Sequence, residues 1–146
     1  MCSCEAPESI GENNRNEEWN NVQSFYINYL ELMIHDRASA LSYRHYEDPV
    51  AKEMAQQHPQ VLVDYAIVSL SKLSENLWEV ILLSKTVEFP DGVYGANYIG
   101  VIDGKYYVMV NIKQIPEDLT VGVEIDPFEP SGPSIIDPGD IVGPIN

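Results

Sequence analysis

The sequence predicts an α+β domain in which three N-terminal helices pack on a curved, antiparallel, four-stranded sheet. Three observations carry this expectation. Apolar residues recur at three- and four-residue steps from Trp19 to Met33, the period of a helix with one buried face. After Pro59 the period changes to two, as in a strand. Between Tyr94 and Gln114, two apolar runs flank Asp103-Gly104, the strongest short-range signal for a hairpin.

The first helix sets Trp19, Val22, Phe25, Tyr26, Tyr29, Leu30 and Met33 on one face. Asn20, Asn21, Gln23, Ser24, Asn28 and Glu31 fill the other. Glu17 and Glu18 suit its first turn, where carboxylates meet the positive end of the helix dipole, and Asn16 is the expected cap. His35-Asp36 breaks the pattern. Asp36 can cap a second helix, with Ala40, Leu41 and Tyr43 or Tyr46 facing inward. Asp48-Pro49 reads as the cap and first residue of a third, since the N–H that proline lacks would go unbonded there. Pro59 ends that helix.

Four strands follow: Val61 to about Lys72, Leu77–Val87, Tyr94–Ile102 and Lys105–Gln114. Val61, Val63, Tyr65 and Ile67 alternate with Leu62, Asp64, Ala66 and Val68 in the first. In the last, Tyr106, Val108, Val110 and Ile112 share a face. Turns fall at Ser74-Glu75-Asn76 and Pro90-Asp91-Gly92. Strands of about ten residues exceed the usual five or six. That length, with apolar residues on both faces, predicts a bent sheet with one face under helices.

Charge divides the chain into three parts. The formal net charge is −15, from 23 acids and eight bases. Residues 1–18 hold five acids and one base, and residues 116–146 hold seven acids and no base. The expected organisation is therefore a flexible acidic N-terminus (1–17), a folded domain (18–116) and an acidic, proline-rich, disordered tail (117–146). Six of the ten prolines lie from Pro116 onward. An alternative for that tail is an extended segment that docks in a groove.

Several function classes are excluded. Nucleic acid needs a basic stripe that releases counterions, and none exists. No apolar run approaches the length of a membrane span. No secretory leader precedes the domain, so the default expectation is a cytoplasmic protein. The alternative starts from Cys2-Ser3-Cys4, which resembles the start of a mature bacterial lipoprotein: Cys2 or Cys4 would carry the anchor if a signal had been removed. The two cysteines lack the partners of a zinc site, and no cofactor or metal is expected.

The aromatic first helix Trp19–Met33, the Asp36-initiated second helix and the segment Gly100-Val101-Ile102-Asp103-Gly104-Lys105-Tyr106-Tyr107 resemble the nuclear-transport-factor-2-like superfamily. That group is also called SnoaL-like or ketosteroid-isomerase-like. The resemblance covers about residues 18–116 and implies a cone-shaped roll with a pocket between helices and sheet. A cystatin-like sheet-on-helix arrangement competes with it, because no small strand is visible among the helices. The fold alone implies little chemistry.

Proton-abstracting enzymes of this fold need paired carboxylates, or a tyrosine with a carboxyl group, in an apolar pocket that raises the carboxyl pKa. Asp64, placed among apolar residues, and His45 are the weak catalytic candidates. Each has an ordinary alternative, as a solvent-facing strand position and a surface histidine. Tyr26, Tyr29, Tyr43, Tyr46, Trp78, Tyr98 and Tyr107 are the expected pocket residues, because such rings line a cavity while their polar tips hydrogen-bond. No nucleophile elbow, zinc-protease helix, phosphate loop or dinucleotide fingerprint occurs. The expected function is non-enzymatic: a concave pocket for a small apolar molecule, or a surface for a partner chain, with a homodimer as one option. The alternative is a lyase or isomerase using Asp64 or His45 with a tyrosine.

Overall fold

The computed structural model describes residues 6–57 and 61–125, with side chains from Glu17 onward. Cys2 and Cys4, the helix stop at Pro59 and the proline-rich stretch from Asp126 lie outside the described residues. Three helices precede four strands: α1 (Ala6–His35), α2 (Arg37–Leu41), α3 (Pro49–Gln57), β1 (Leu62–Ser74), β2 (Leu77–Thr86), β3 (Val93–Ile102) and β4 (Lys105–Met109). Two 3₁₀ turns follow, Ile112–Gln114 and Glu117–Leu119. The strands form one open antiparallel meander, β1-β2-β3-β4.

The helical periodicity translates directly into burial. Val22, Tyr26, Tyr29, Leu30 and Met33 of α1 are buried against Ile67, Leu70, Trp78, Val80, Leu82, Ile99 and Val108 of the sheet. Trp19 and Phe25 pack at the margin. The helix begins at Ala6, so Asn16 stands inside it rather than at its cap. Pro7 occupies the first turn, where a missing N–H costs nothing. Both aspartate caps form. Asp36 accepts from the Ser39 hydroxyl at 2.6 Å, and Asp48 accepts from the Val50 amide at 2.9 Å. The expectation that all three helices pack is met unevenly. Ala40 of α2 is buried, whereas α3 buries no residue. The Arg37 guanidinium holds α3 by donating to the Ala55 carbonyl at 3.0 Å.

Simple alternation fails in β1. Its register against β2 shifts between Leu62 and Asp64, between Ile67 and Ser69, and between Lys72 and Ser74. Each shift opposes two residues to one and turns the side-chain alternation over. Leu62, Tyr65, Ile67 and Leu70 therefore all join the core under α1, while Val63 is exposed. The β3–β4 turn forms as its sequence requires, with positive φ at Asp103 and Gly104 (53° and 78°).

β4 ends at Met109, short of the expected Gln114. Its outer edge is closed by the Tyr43–His45 segment, which runs parallel to it. The Val108 amide donates to the Tyr43 carbonyl at 2.8 Å, and the His45 amide donates to the Val108 carbonyl at 2.9 Å. Gln114, buried, accepts from the Glu47 amide at 2.9 Å, which draws the chain away from the sheet. Ile112 is consequently exposed instead of sharing the face of Val108.

A second core covers the opposite face of the sheet. Leu77, Tyr98 and Met109 lie under Ile115 and Leu119, with Ile125 at the edge. Residues 117–125, grouped with the tail on composition, thus reach back to the sheet through Leu119 and Ile125. Gly100 permits that approach. A Cβ there would stand 2.6 Å from Met109 Cε and 2.8 Å from Leu119 Cδ1. Gly100→Val should lower stability by about 1–3 kcal/mol through overpacking. Chemical denaturation measures this, and an unchanged midpoint would show that Leu119 does not occupy that place.

Candidate functional site

The helix-facing side of the sheet tapers. Along β2 its residues run Trp78, Val80, Leu82, Ser84, Thr86, and opposite Trp78, Val80 and Leu82 stand Ile99, Asn97 and Gly95 of β3. Large side chains fill the Trp78 end, where Trp19 meets Trp78 edge-on at 6.0 Å. Serine, threonine and glycine cannot fill the other end, and a cavity of about 340 Å³ remains. Tyr29, Leu30 and Met33 of α1 line it from above. Leu62, Leu82, Ser84, Thr86, Gly95, Asn97 and Val110 line it from the sheet side, and Arg37, Arg44 and Ala55 complete the wall.

Arg44 is the polar centre of the site. Its Nε donates to the Tyr29 hydroxyl at 2.7 Å and Nη1 to the Tyr46 hydroxyl at 3.0 Å. Nη2 reaches the Met33 sulfur at 3.7 Å. Burial works against the cation, yet contact with Tyr29 and Tyr46 holds its pKa above the ordinary arginine value. Parallel pairing of Tyr43–His45 with β4 fixes the backbone that aims it. Tyr26 stacks on Tyr29 with centroids 5.8 Å apart, and its hydroxyl accepts from Asn97 Nδ2 at 2.6 Å. Burial raises the pKa of Tyr26, and that of Tyr29 too, although Arg44 opposes it at Tyr29.

The expected pocket residues divide between the two faces. Tyr29 lines the cavity, Tyr26 supports it through Asn97, and Tyr46 supports it through Arg44. Tyr43 instead stacks edge-on against Phe25 at 5.7 Å and is exposed. Trp78 is buried at the filled end of the sheet. Tyr98 and Tyr107 lie on the opposite face, in the second core, because strand alternation points them there. Neither catalytic candidate lines the cavity. Asp64 accepts from the Tyr65 amide at 2.9 Å, and His45 pairs with Glu47 at 2.6 Å beside Tyr107.

Arg37, Arg44, Asn97 and Gly95 were not legible as site residues. The available signal was Arg44 between Tyr43 and Tyr46, in a chain with eight bases. Glu79 was also missed. It is fully buried on the second face, hydrogen-bonded to Tyr98, whose pKa rises through burial and the Glu79 charge. Among the described residues, no three His, Cys, Asp or Glu side chains gather to hold a metal ion. No described helix is long and apolar enough to cross a membrane. The chain matches no family model, no curated protein and no solved structure.

The buried phenols set an alkaline limit. An unfolded tyrosine ionises near pH 10, whereas Tyr26, Tyr29 and Tyr98 stay protonated above it in the folded chain. Above that pH the unfolded state sheds protons first, so stability is full below about pH 10 and falls as pH rises. Phenolate absorbance of the native protein should lag that of denatured protein during an alkaline titration. Coincident curves would contradict the burial of these hydroxyls.

Proposed function

We propose that this domain is a non-enzymatic binding module, a cone-shaped roll of the nuclear-transport-factor-2-like kind whose cavity takes a small, mainly apolar molecule. The observation that carries the proposal is the cavity of about 340 Å³ between α1 and the tapered end of the sheet. Its volume lies at the lower end of small-molecule pockets, about 300–1,000 Å³. Leucines, valine, methionine and a tyrosine ring supply apolar contact, and a few polar groups supply orientation. The order of helices and strand meander fits the proposed roll.

The choice of binding over catalysis rests on the lining. Among the described residues it contains no carboxylate, imidazole or thiol, so no side chain there titrates near neutrality. Asp64 and His45 stand elsewhere, engaged locally. A second reading, docking of a partner chain, is favoured by the apolar corner of the sheet. Val61, Val63, Val87, Phe89, Val93 and Tyr94 are all exposed there.

Gly95 separates the two. Nothing lies within 4 Å of a Cβ built on it, and its register places it opposite Leu82 on the cavity floor. Gly95→Leu should fold at least as stably as the parent while filling the site. In a thermal-shift screen of the full chain, a ligand at 100 times its dissociation constant should add about 2.7 kcal/mol. The shift should vanish in Gly95→Leu. A shift that survives the substitution would place binding outside the cavity. The absence of any shift across a metabolite panel, with a dimer by light scattering, would favour the partner reading.

A further inference from the structure

Among the described residues, two charges in this site meet no charge of opposite sign. The chain holds 23 acids against eight bases, so carboxylate partners are plentiful. Lys72, under α1, has Glu18 at 2.5 Å. Arg37 and Arg44 both line the cavity, and among the described residues neither has an ion pair. Arg44 directs one hydrogen from each nitrogen at a neutral group, the Tyr29 and Tyr46 hydroxyls and the Met33 sulfur. A guanidinium has five N–H donors, so two remain. Arg37 gives one to the Ala55 carbonyl, and among the described residues its buried Nε has no hydrogen-bond partner.

An enclosed cation without an anion, and a buried donor without an acceptor, each cost free energy. Here the first cost falls on the wall of an open cavity, where an entering ligand can relieve it. The Tyr29 phenol does not serve as the anion, since burial raises its pKa. The same cavity is lined by Leu30, Leu62, Leu82 and Val110, which offer apolar surface, and by Ser84, Thr86 and Asn97, which are uncharged. The complement of that wall is a molecule with a hydrocarbon body and one oxyanion. The planar fork of arginine matches a carboxylate through two parallel hydrogen bonds.

We infer that the cavity takes a compact apolar carboxylate whose oxyanion is held by Arg37 and Arg44. This rests on the binding-module reading and narrows it to one ligand class. The size of the cavity favours a short chain or a single ring over a long acyl chain.

Isothermal titration of the full chain with octanoate, octanamide, phenylacetate and phenylacetamide tests it. Each pair keeps the body and removes the charge. The carboxylates should bind about tenfold tighter than their amides, as expected for charge-assisted hydrogen bonds. Arg37→Gln and Arg44→Gln should each bring the ratio toward one. Arg44 has three partners, so should Arg44→Gln fail to fold by circular dichroism, Arg37→Gln carries the comparison. Equal affinity within each pair, lost in Gly95→Leu, overturns the carboxylate inference and leaves the pocket reading standing. A carboxylate preference unchanged in the folded arginine variants also overturns it. Binding of none of the four probes overturns the pocket reading as well.

Discussion

Burying tyrosines requires burying their hydroxyls, and each hydroxyl must then find a partner. That constraint organises the interface between α1 and the sheet. Tyr26 and Tyr29 lie at the centre of the helix's apolar face, almost fully covered. Their rings supply much of the area that attaches the helix, and their oxygens select what stands beneath. Tyr26 is satisfied by Asn97 from β3, and Tyr29 by Arg44 from the segment beside β4. Tyr65, reaching the other way, donates to Glu31 of α1 at 2.8 Å. Three phenols thus tie one helix to three different parts of the chain.

The cavity follows from the same arrangement. Asn97 and Arg44 are polar residues where a closed core would hold apolar ones. Beside them the sheet offers Ser84, Thr86 and Gly95. The helix cannot descend to fill the space, because Trp19, Trp78 and Val80 hold it off at the other end. A helix laid across a sheet of uneven side-chain height leaves a wedge. The second core works in the opposite sense: Gly100 removes a side chain so that Met109 and Leu119 can close over the strands.

Features that depend on neighbouring residues in the chain were legible. The face of α1 follows from a 3.6-residue period, and the aspartate caps from the geometry of one turn. The β3–β4 hairpin follows from two residues able to take positive φ. Features that depend on pairing between distant segments were not. Three register shifts in β1 redistribute its residues between faces, and no local signal marks them. The end of β4 depends on Tyr43–His45 closing its edge and on Gln114 bonding to Glu47. Tyr98 and Tyr107 were grouped with Tyr26 and Tyr29 as amphipathic rings, yet only sheet register assigns them to the far face.

The order of amino acids was enough to reveal the class of the fold, the order of its elements, the buried stripe of α1 and the absence of several catalytic motifs. Each is a property of periodicity or composition, which short-range backbone geometry imposes. Packing between distant segments put two arginines on a wall with leucines and left the candidates Asp64 and His45 off it. A side chain's environment is set by what packs against it. For Arg37 and Arg44, that means residues up to several dozen positions away, brought close by a helix and four strands. Their cationic character was present in the sequence from the start, but that no described residue pairs with them as an anion became visible only once the chain was folded.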